Sequence, residues 1–161
     1  MRYFTPELYL KLNSSDSRAV DVAMEQWEQA IVSYKRDLEV IRRELPRRAR
    51  PLAKPSFHDW KVRGAVNPIS SLALIVLEHH KTIALLSYSL SEPVRELKPP
   101  KKWLASNGDV YWLYDELDRY EGAFVHRILL SDGTELQIPF SSCEVALMKP
   151  AMSHSALLQI A

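Results

Sequence analysis

One histidine and the acids that precede it form the group of residues with the clearest chemical potential. The stretch from Asp109 to Glu121 is rich in carboxylates, and His126 follows shortly after it. Carboxylates beside an imidazole can bind a metal ion or carry out general acid–base catalysis. We therefore take His126, Glu116 and Asp115 as candidate metal ligands or acid–base residues.

No recognised ligand or nucleophile motif supports this chemistry. The sequence contains no His-Glu-x-x-His, Asp-x-Asp-x-Asp-Gly or Cys-x-x-Cys motif. His79 and His80 are adjacent, which is more typical of a polar hairpin tip than of a metal site. Cys143 follows two serines without a Gly-x-Ser-x-Gly elbow, and a cysteine that starts an apolar strand is usually buried and inert. We predict no catalytic residue and no cofactor.

A second candidate surface is basic. Eight Lys or Arg residues and two acids lie between Arg42 and Arg63. Clustered cations neutralise phosphates, so the stretch suggests an anion or nucleic-acid binder. Cations are also common at the solvated C-terminal end of a helix, where the helix dipole favours them. Because aromatic residues are not regularly interleaved with these charges, we prefer the second explanation and do not expect a nucleic-acid partner.

The elements that must position these residues are helical in the first half of the chain. Thr5 and Pro6 predict the start of a short helix. Ser15 or Asp16 predicts the cap of a second one, and Pro46 predicts its end. Between those points apolar residues recur at spacings of three and four, which is typical of one long helix. They are Val20, Met24, Trp27, Ile31, Tyr34, Leu38, Ile41 and Leu45.

This long helix is the main argument for binding to another protein. Val32 and Val40 widen its apolar stripe, which favours packing on a globular core over a coiled-coil seam. Thirty helical residues nevertheless span about 45 Å, more than the diameter of one small domain. We therefore expect part of the helix to overhang, to kink or to meet a partner. The predicted interaction residues are Trp27, Ile31, Tyr34, Leu38, Arg47 and Arg48.

The second half of the chain predicts an antiparallel sheet. Short apolar runs bounded by turn residues indicate strands at 60–66, 72–77, 82–88, 110–117, 123–130, 135–140 and 143–148. The fold class is α+β: N-terminal helices, one of them long, followed by an antiparallel β-meander sheet or half-open barrel of about six strands. We expect a helical region at 1–55, a β region at 56–149 and a tail at 150–161, all within one compact unit.

The turn after Leu130 determines where His126 points. A two-residue loop would mix apolar and polar side chains on both faces of the hairpin. A three-residue loop with a left-handed Gly133 gathers the apolar side chains on one face and places His126 there, opposite Ile138. A histidine at such a position is more often a hydrogen-bonded structural residue than a catalytic one, and its partner would be an acid of the preceding strand.

Composition narrows the class of protein. The 161 residues are 47% hydrophobic and 25% charged, as in globular domains, and the net charge of +1 gives no general reason to bind a polyanion. One cysteine excludes an internal disulfide framework and suits a reducing cytoplasm. The chain shows neither the pattern of a signal peptide nor an uninterrupted apolar stretch of about 20 residues, so we expect no membrane association.

Two parts of the sequence resemble an uncharacterised family of small bacterial proteins. One is Met1–Tyr9; the other combines Trp112–Leu117 with Phe124–Gly133. The resemblance implies an N-terminal helical part joined to a β-segment, in a bacterial and cytoplasmic protein. It implies no activity, so it transfers no catalytic residue.

These observations favour a non-enzymatic intracellular protein that binds another protein or its own copy, in the latter case as a homodimer. Two alternatives stay open. The first is a small metal-binding protein or hydrolase-like enzyme that uses His126 with Glu116 or Asp115. The second is an anion or nucleic-acid binder that uses residues between Arg42 and Arg63.

Overall fold

The computed structural model describes residues 1–54, 57–100, 103, 108–120 and 122–149, so the predicted tail at 150–161 lies outside the described residues. Within them the chain forms two α-helices, one 3-10 helix and seven strands, and the α+β prediction is confirmed. The elements are α1 (Pro6–Leu12), α2 (Ser17–Glu44), the 3-10 helix (Arg50–Ala53), β1 (Lys61–Ile69), β2 (Leu72–His79), β3 (Thr82–Leu90), β4 (Arg95–Leu97), β5 (Trp112–Tyr120), β6 (Ala123–Leu130) and β7 (Glu135–Met148).

The strands form one antiparallel sheet that curls into a half-open barrel. Their order is β1-β2-β3-β7-β6-β5, and β4 pairs with β7. Backbone hydrogen bonds join the beginning of β1 to the residues that lead into β5. The Val62 amide donates to the Val110 carbonyl at 2.8 Å, and the Trp112 amide donates to the Trp60 carbonyl at 2.9 Å. The two edge strands therefore meet over a few residues and then diverge.

Helix α2 lies along the free edge of β5. The Leu117 amide on this edge strand donates a hydrogen bond to the Tyr34 hydroxyl at 2.9 Å. The helix thus supplies an acceptor on the side of β5 that has no paired strand. Beyond α2, the chain adds Leu45, Ala49 and Leu52 to the apolar core of the sheet. The helical segment and the sheet thus share one hydrophobic core.

The helices begin and end where the sequence predicts. The side chains of Thr5 and Asp16 each accept a backbone amide in the first turn of their helix, at 3.2 and 3.0 Å. Helix α2 ends at Glu44, two residues before Pro46. Local capping chemistry is sufficient to set these boundaries.

The apolar stripe of α2 is narrower than predicted. Val32 and Val40 are 69% and 58% exposed, so the prediction that they widen the stripe is wrong. Met24, a predicted stripe residue, is also exposed. The edge of one strand covers only a narrow face of a helix, which explains the difference. The half-buried residues of that face include Trp27, Ile31, Tyr34 and Leu38.

The last strand is longer than predicted. Residues 135–148 form one strand where the sequence suggested two, because β7 pairs with β6 and β4 along its first part and with β3 along its second. The short strand β4 was not predicted. All three of its residues are exposed, so the strand lacks the alternation of buried apolar and exposed polar residues by which a sequence indicates a strand.

The β6–β7 hairpin has the predicted register. His126 lies opposite Ile138, and Gly133 has a φ of +85°, the left-handed conformation expected of it. A Cβ atom added to Gly133 would lie 2.5 Å from a ring carbon of Trp103. Both the backbone conformation and the close approach of the indole therefore require glycine here.

Candidate functional site

Tyr88, His126 and Asp115 form a chain of hydrogen bonds inside the half-barrel. The Tyr88 hydroxyl lies 2.8 Å from Nδ1 of His126, and Nε2 of His126 lies 3.0 Å from Oδ2 of Asp115. Tyr88 and His126 are both fully buried. Burial raises the pKa of the Tyr88 hydroxyl well above its usual range. The hydroxyl therefore stays protonated and donates a hydrogen bond to Nδ1. Nε2–H in turn donates a hydrogen bond to the Asp115 carboxylate.

This chain uses all the bonding capacity of the imidazole. The second carboxylate oxygen of Asp115 accepts the Trp112 indole N–H at 3.0 Å, so the acid is also held from two sides. An imidazole with both nitrogens hydrogen-bonded has no free lone pair for a metal ion. Across the described ranges, no group of three or more His, Cys, Asp or Glu side chains comes together as a metal site.

Glu116 lies on the opposite face of β5 from Asp115, because neighbouring residues of a strand point in opposite directions. It is 1% exposed, and its carboxylate accepts the backbone amides of Arg2, Tyr3 and Phe4 at 2.7, 2.7 and 2.6 Å. The structure thus brings His126 and Asp115 together and separates Glu116 from them. The observed role of Glu116 is to hold the beginning of the chain against the sheet.

Further contacts fix the same N-terminal segment. The Met1 ammonium group pairs with the buried carboxylate of Glu135, and the Tyr3 hydroxyl donates to Asp37 on α2. Burial, and then the hydrogen bond to Asp37, raises the pKa of Tyr3 to about 12. The Phe4 ring packs 4.8 Å from the Trp27 ring, measured between centroids. Sequence reasoning missed this anchoring, since Glu116 and Glu135 lie more than 100 residues from the segment that they hold.

An apolar cleft of about 290 Å³ opens between α2, the 3-10 helix and β5. Three of the four predicted interaction residues on α2 line it. Burial, followed by the negative charge of Asp115, raises the pKa of the Tyr34 hydroxyl above its usual range, so the lining stays neutral there. The residues around the cleft are Phe4, Ile31, Tyr34, Lys35, Leu38, Leu52, Ala53, Lys54, His58, Leu113, Tyr114 and Asp115.

The predicted arginines lie at a separate, basic groove or close to it. Arg47 lines this groove, whereas Arg48 does not and instead approaches Glu144 at 3.8 Å. The groove has a volume of about 550 Å³, and Lys54 lines both it and the apolar cleft. Its lining consists of Glu39, Arg42, Arg43, Arg47, Arg50, Pro51 and Lys54.

Cys143 is buried inside the sheet and is not poised as a nucleophile. Only 1% of the residue is exposed, and burial raises the pKa of its thiol to about 12. Because the thiolate is the reactive form, this thiol is inert at neutral pH.

The chain matches no protein-family model and no curated protein sequence. The resemblance to a family of small bacterial proteins therefore stays a prediction. Among the described residues, no helix is both long enough and apolar enough to cross a bilayer.

Proposed function

We propose that the protein is a non-enzymatic binding module that receives an apolar side chain of a protein partner in the cleft between α2 and β5. The observation that carries this proposal is the cleft itself. Ile31, Tyr34 and Leu38, which the sequence nominates for interaction, line it together with apolar residues of two other elements. Buried anchors in such pockets supply most of the binding energy of protein interfaces.

The size of the cleft favours a side chain over a cofactor. Small-molecule sites usually enclose roughly 300–1,000 Å³. A cleft of about 290 Å³ lies at the lower limit of that range and suits one or two large apolar side chains. Lys35 and Lys54 at its rim favour an acidic residue beside the anchor. We place this activity in the bacterial cytoplasm, as the sequence suggests.

Selection of displayed peptides on the full chain tests the proposal. We expect the recovered peptides to share a large apolar residue and to lose at least about tenfold in affinity for Ala53→Trp, which fills the cleft. Val32→Trp is the matched control, because it adds the same indole to an exposed position. Recovery of no peptide, or equal binding to both variants, would contradict the proposal. Self-association through the same cleft would instead appear as a molar mass that rises with protein concentration.

The metal-binding or hydrolase-like alternative has one specific observation in its favour. The Asp115 carboxylate lines the apolar cleft while it bonds to His126. Elemental analysis of the purified protein tests this candidate. Stoichiometric metal that is lost in Asp115→Asn would support it over the binding module, and its absence would count against a metal-dependent mechanism.

A further inference from the structure

The groove at the end of α2 gathers positive charge from three successive segments of the chain. Arg42 and Arg43 lie in the last turn of α2, Arg47 follows the helix, Arg50 begins the 3-10 helix and Lys54 follows it. These five cations surround one concave surface of about 550 Å³. Their convergence depends on the turn between the two helices, so the order of residues alone does not show it.

Most of this charge has no neutralising carboxylate among the described residues. Glu39 is the one acid among the described residues of the lining, and it approaches Arg42 at 3.5 Å. Over the part of the chain that the structure describes, the remaining four cations of the groove have no carboxylate within ion-pair distance. By contrast, Arg63 and Arg119 on the sheet each pair with a carboxylate.

The helix dipole does not account for so many cations. The C-terminal end of a helix carries the equivalent of about half a negative charge. Four cations that have no carboxylate partner in the described part of the chain exceed that charge several-fold. The excess creates a local positive potential in a protein whose net charge is only +1.

We propose that this groove binds a compact ligand with several closely spaced phosphate groups. Arginine presents a planar fork of donors that matches phosphate oxygens, and four of the five cations are arginines. None of the described residues that line the groove is aromatic, so they provide no platform on which single-stranded nucleic acids stack their bases. A polyphosphate group provides several negative charges within a volume that the groove can hold.

Titration of inorganic tripolyphosphate into the full chain tests this inference directly. We expect one ligand per protein at low ionic strength and at least about tenfold weaker binding at about 0.3 M salt. The double variant Arg47→Ala/Arg50→Ala should lower the affinity by at least about tenfold. The matched control Arg18→Ala/Arg36→Ala removes the same net charge from exposed positions of α2 outside the groove and should change the affinity less than about twofold.

Three results would overturn the inference. The first is the absence of tripolyphosphate binding at low salt. The second is an equal loss of affinity in the control variant, which would show only a general charge effect. The third is binding of a short RNA duplex or single strand without any binding of tripolyphosphate, which would identify a nucleic-acid surface instead. Thermal unfolding of each variant establishes that the fold is retained.

Discussion

The interior of the half-barrel and the surface at the end of α2 use similar chemical groups in opposite ways. The interior holds the residue types that most often carry chemistry, yet both His126 nitrogens are bonded and the Cys143 thiol is buried. The surface holds common residues, but four of the five cations of its groove have no carboxylate partner among the described residues, and its apolar cleft is open. Spare bonding capacity, more than residue type, therefore distinguishes a place that can bind a ligand from a place that stabilises the fold.

The largest expected effect comes from placing a charge inside the half-barrel. His126→Asp puts a carboxylate at a fully buried position next to Asp115, so desolvation and like-charge repulsion both act against folding. We expect the free energy of unfolding, measured with denaturant, to fall by about 4 kcal/mol or more. His126→Phe leaves the Tyr88 hydroxyl without its partner and should cost about 2 kcal/mol. Equal and small losses in both variants would show that the network does not stabilise the interior.

The next effect tests the buried acid on the other face of β5. Glu116→Gln replaces one of two accepting oxygens with an NH₂ group that faces backbone N–H donors. We expect a loss of about 3 kcal/mol and faster hydrogen exchange at the amides of residues 2–4. Glu92→Gln is the control, since Glu92 is exposed and its pair among the described residues is with Arg95; it should cost less than about 0.5 kcal/mol. Similar losses in the two variants would contradict the anchoring role.

A comparison of two glycines separates backbone strain from packing. Gly133 and Gly122 both have positive φ values, +85° and +88°, but a Cβ atom at Gly122 would meet no described residue within 4 Å. Gly122→Ala should therefore cost about 1 kcal/mol from conformation alone. Gly133→Ala adds the clash with Trp103 and should cost at least about 2 kcal/mol in the same unfolding assay. Equal costs would mean that the indole moves aside freely.

The buried thiol predicts a loss of stability at alkaline pH. Burial raises the pKa of Cys143 from 9.0 to about 12 in the folded protein, so the unfolded chain loses this proton first as the pH rises. The contribution of the thiol to the free energy of unfolding is fully present below pH 9 and declines between pH 9 and 12. Between pH 9 and pH 10 it falls by about 1 kcal/mol. Cys143→Ala should flatten the pH profile of unfolding over this range. An unchanged slope would show that the thiol titrates alike in both states.

The smallest expected effect is on the surface. Arg47→Ala/Arg50→Ala should change the free energy of unfolding by less than about 0.5 kcal/mol, because both arginines are exposed and have no carboxylate partner among the described residues. Thermal and denaturant unfolding measure this change in the free energy of unfolding. A larger destabilisation would mean that these arginines take part in packing. It would contradict the conclusion that this surface, unlike the interior, does not stabilise the fold.

Several features of the fold follow from local sequence. Thr5 and Asp16 provide caps, and Pro46 follows closely on the end of α2, so the helix boundaries need no information from distant residues. The placement of His126 is local as well, because the left-handed Gly133 and the apolar alternation of two adjacent strands together permit one register. These interactions all lie within a few residues along the chain or across one hairpin.

The sequence by itself determined the two α-helices, the strands other than β4 and the undivided β7, the caps and the β6–β7 register, since propensity, turn chemistry and periodicity act over short distances. Only the tertiary structure decided that Glu116 binds the N-terminal amides and Asp115 binds His126. The same holds for the cleft and for the basic groove, whose lining residues come from separate elements. The Glu116 and Asp115 contacts and the cleft depend on where distant segments meet, because packing of the shared core sets those meetings. The groove depends on the turn between α2 and the 3-10 helix. Alternation along β5 shows only that Asp115 and Glu116 face opposite ways.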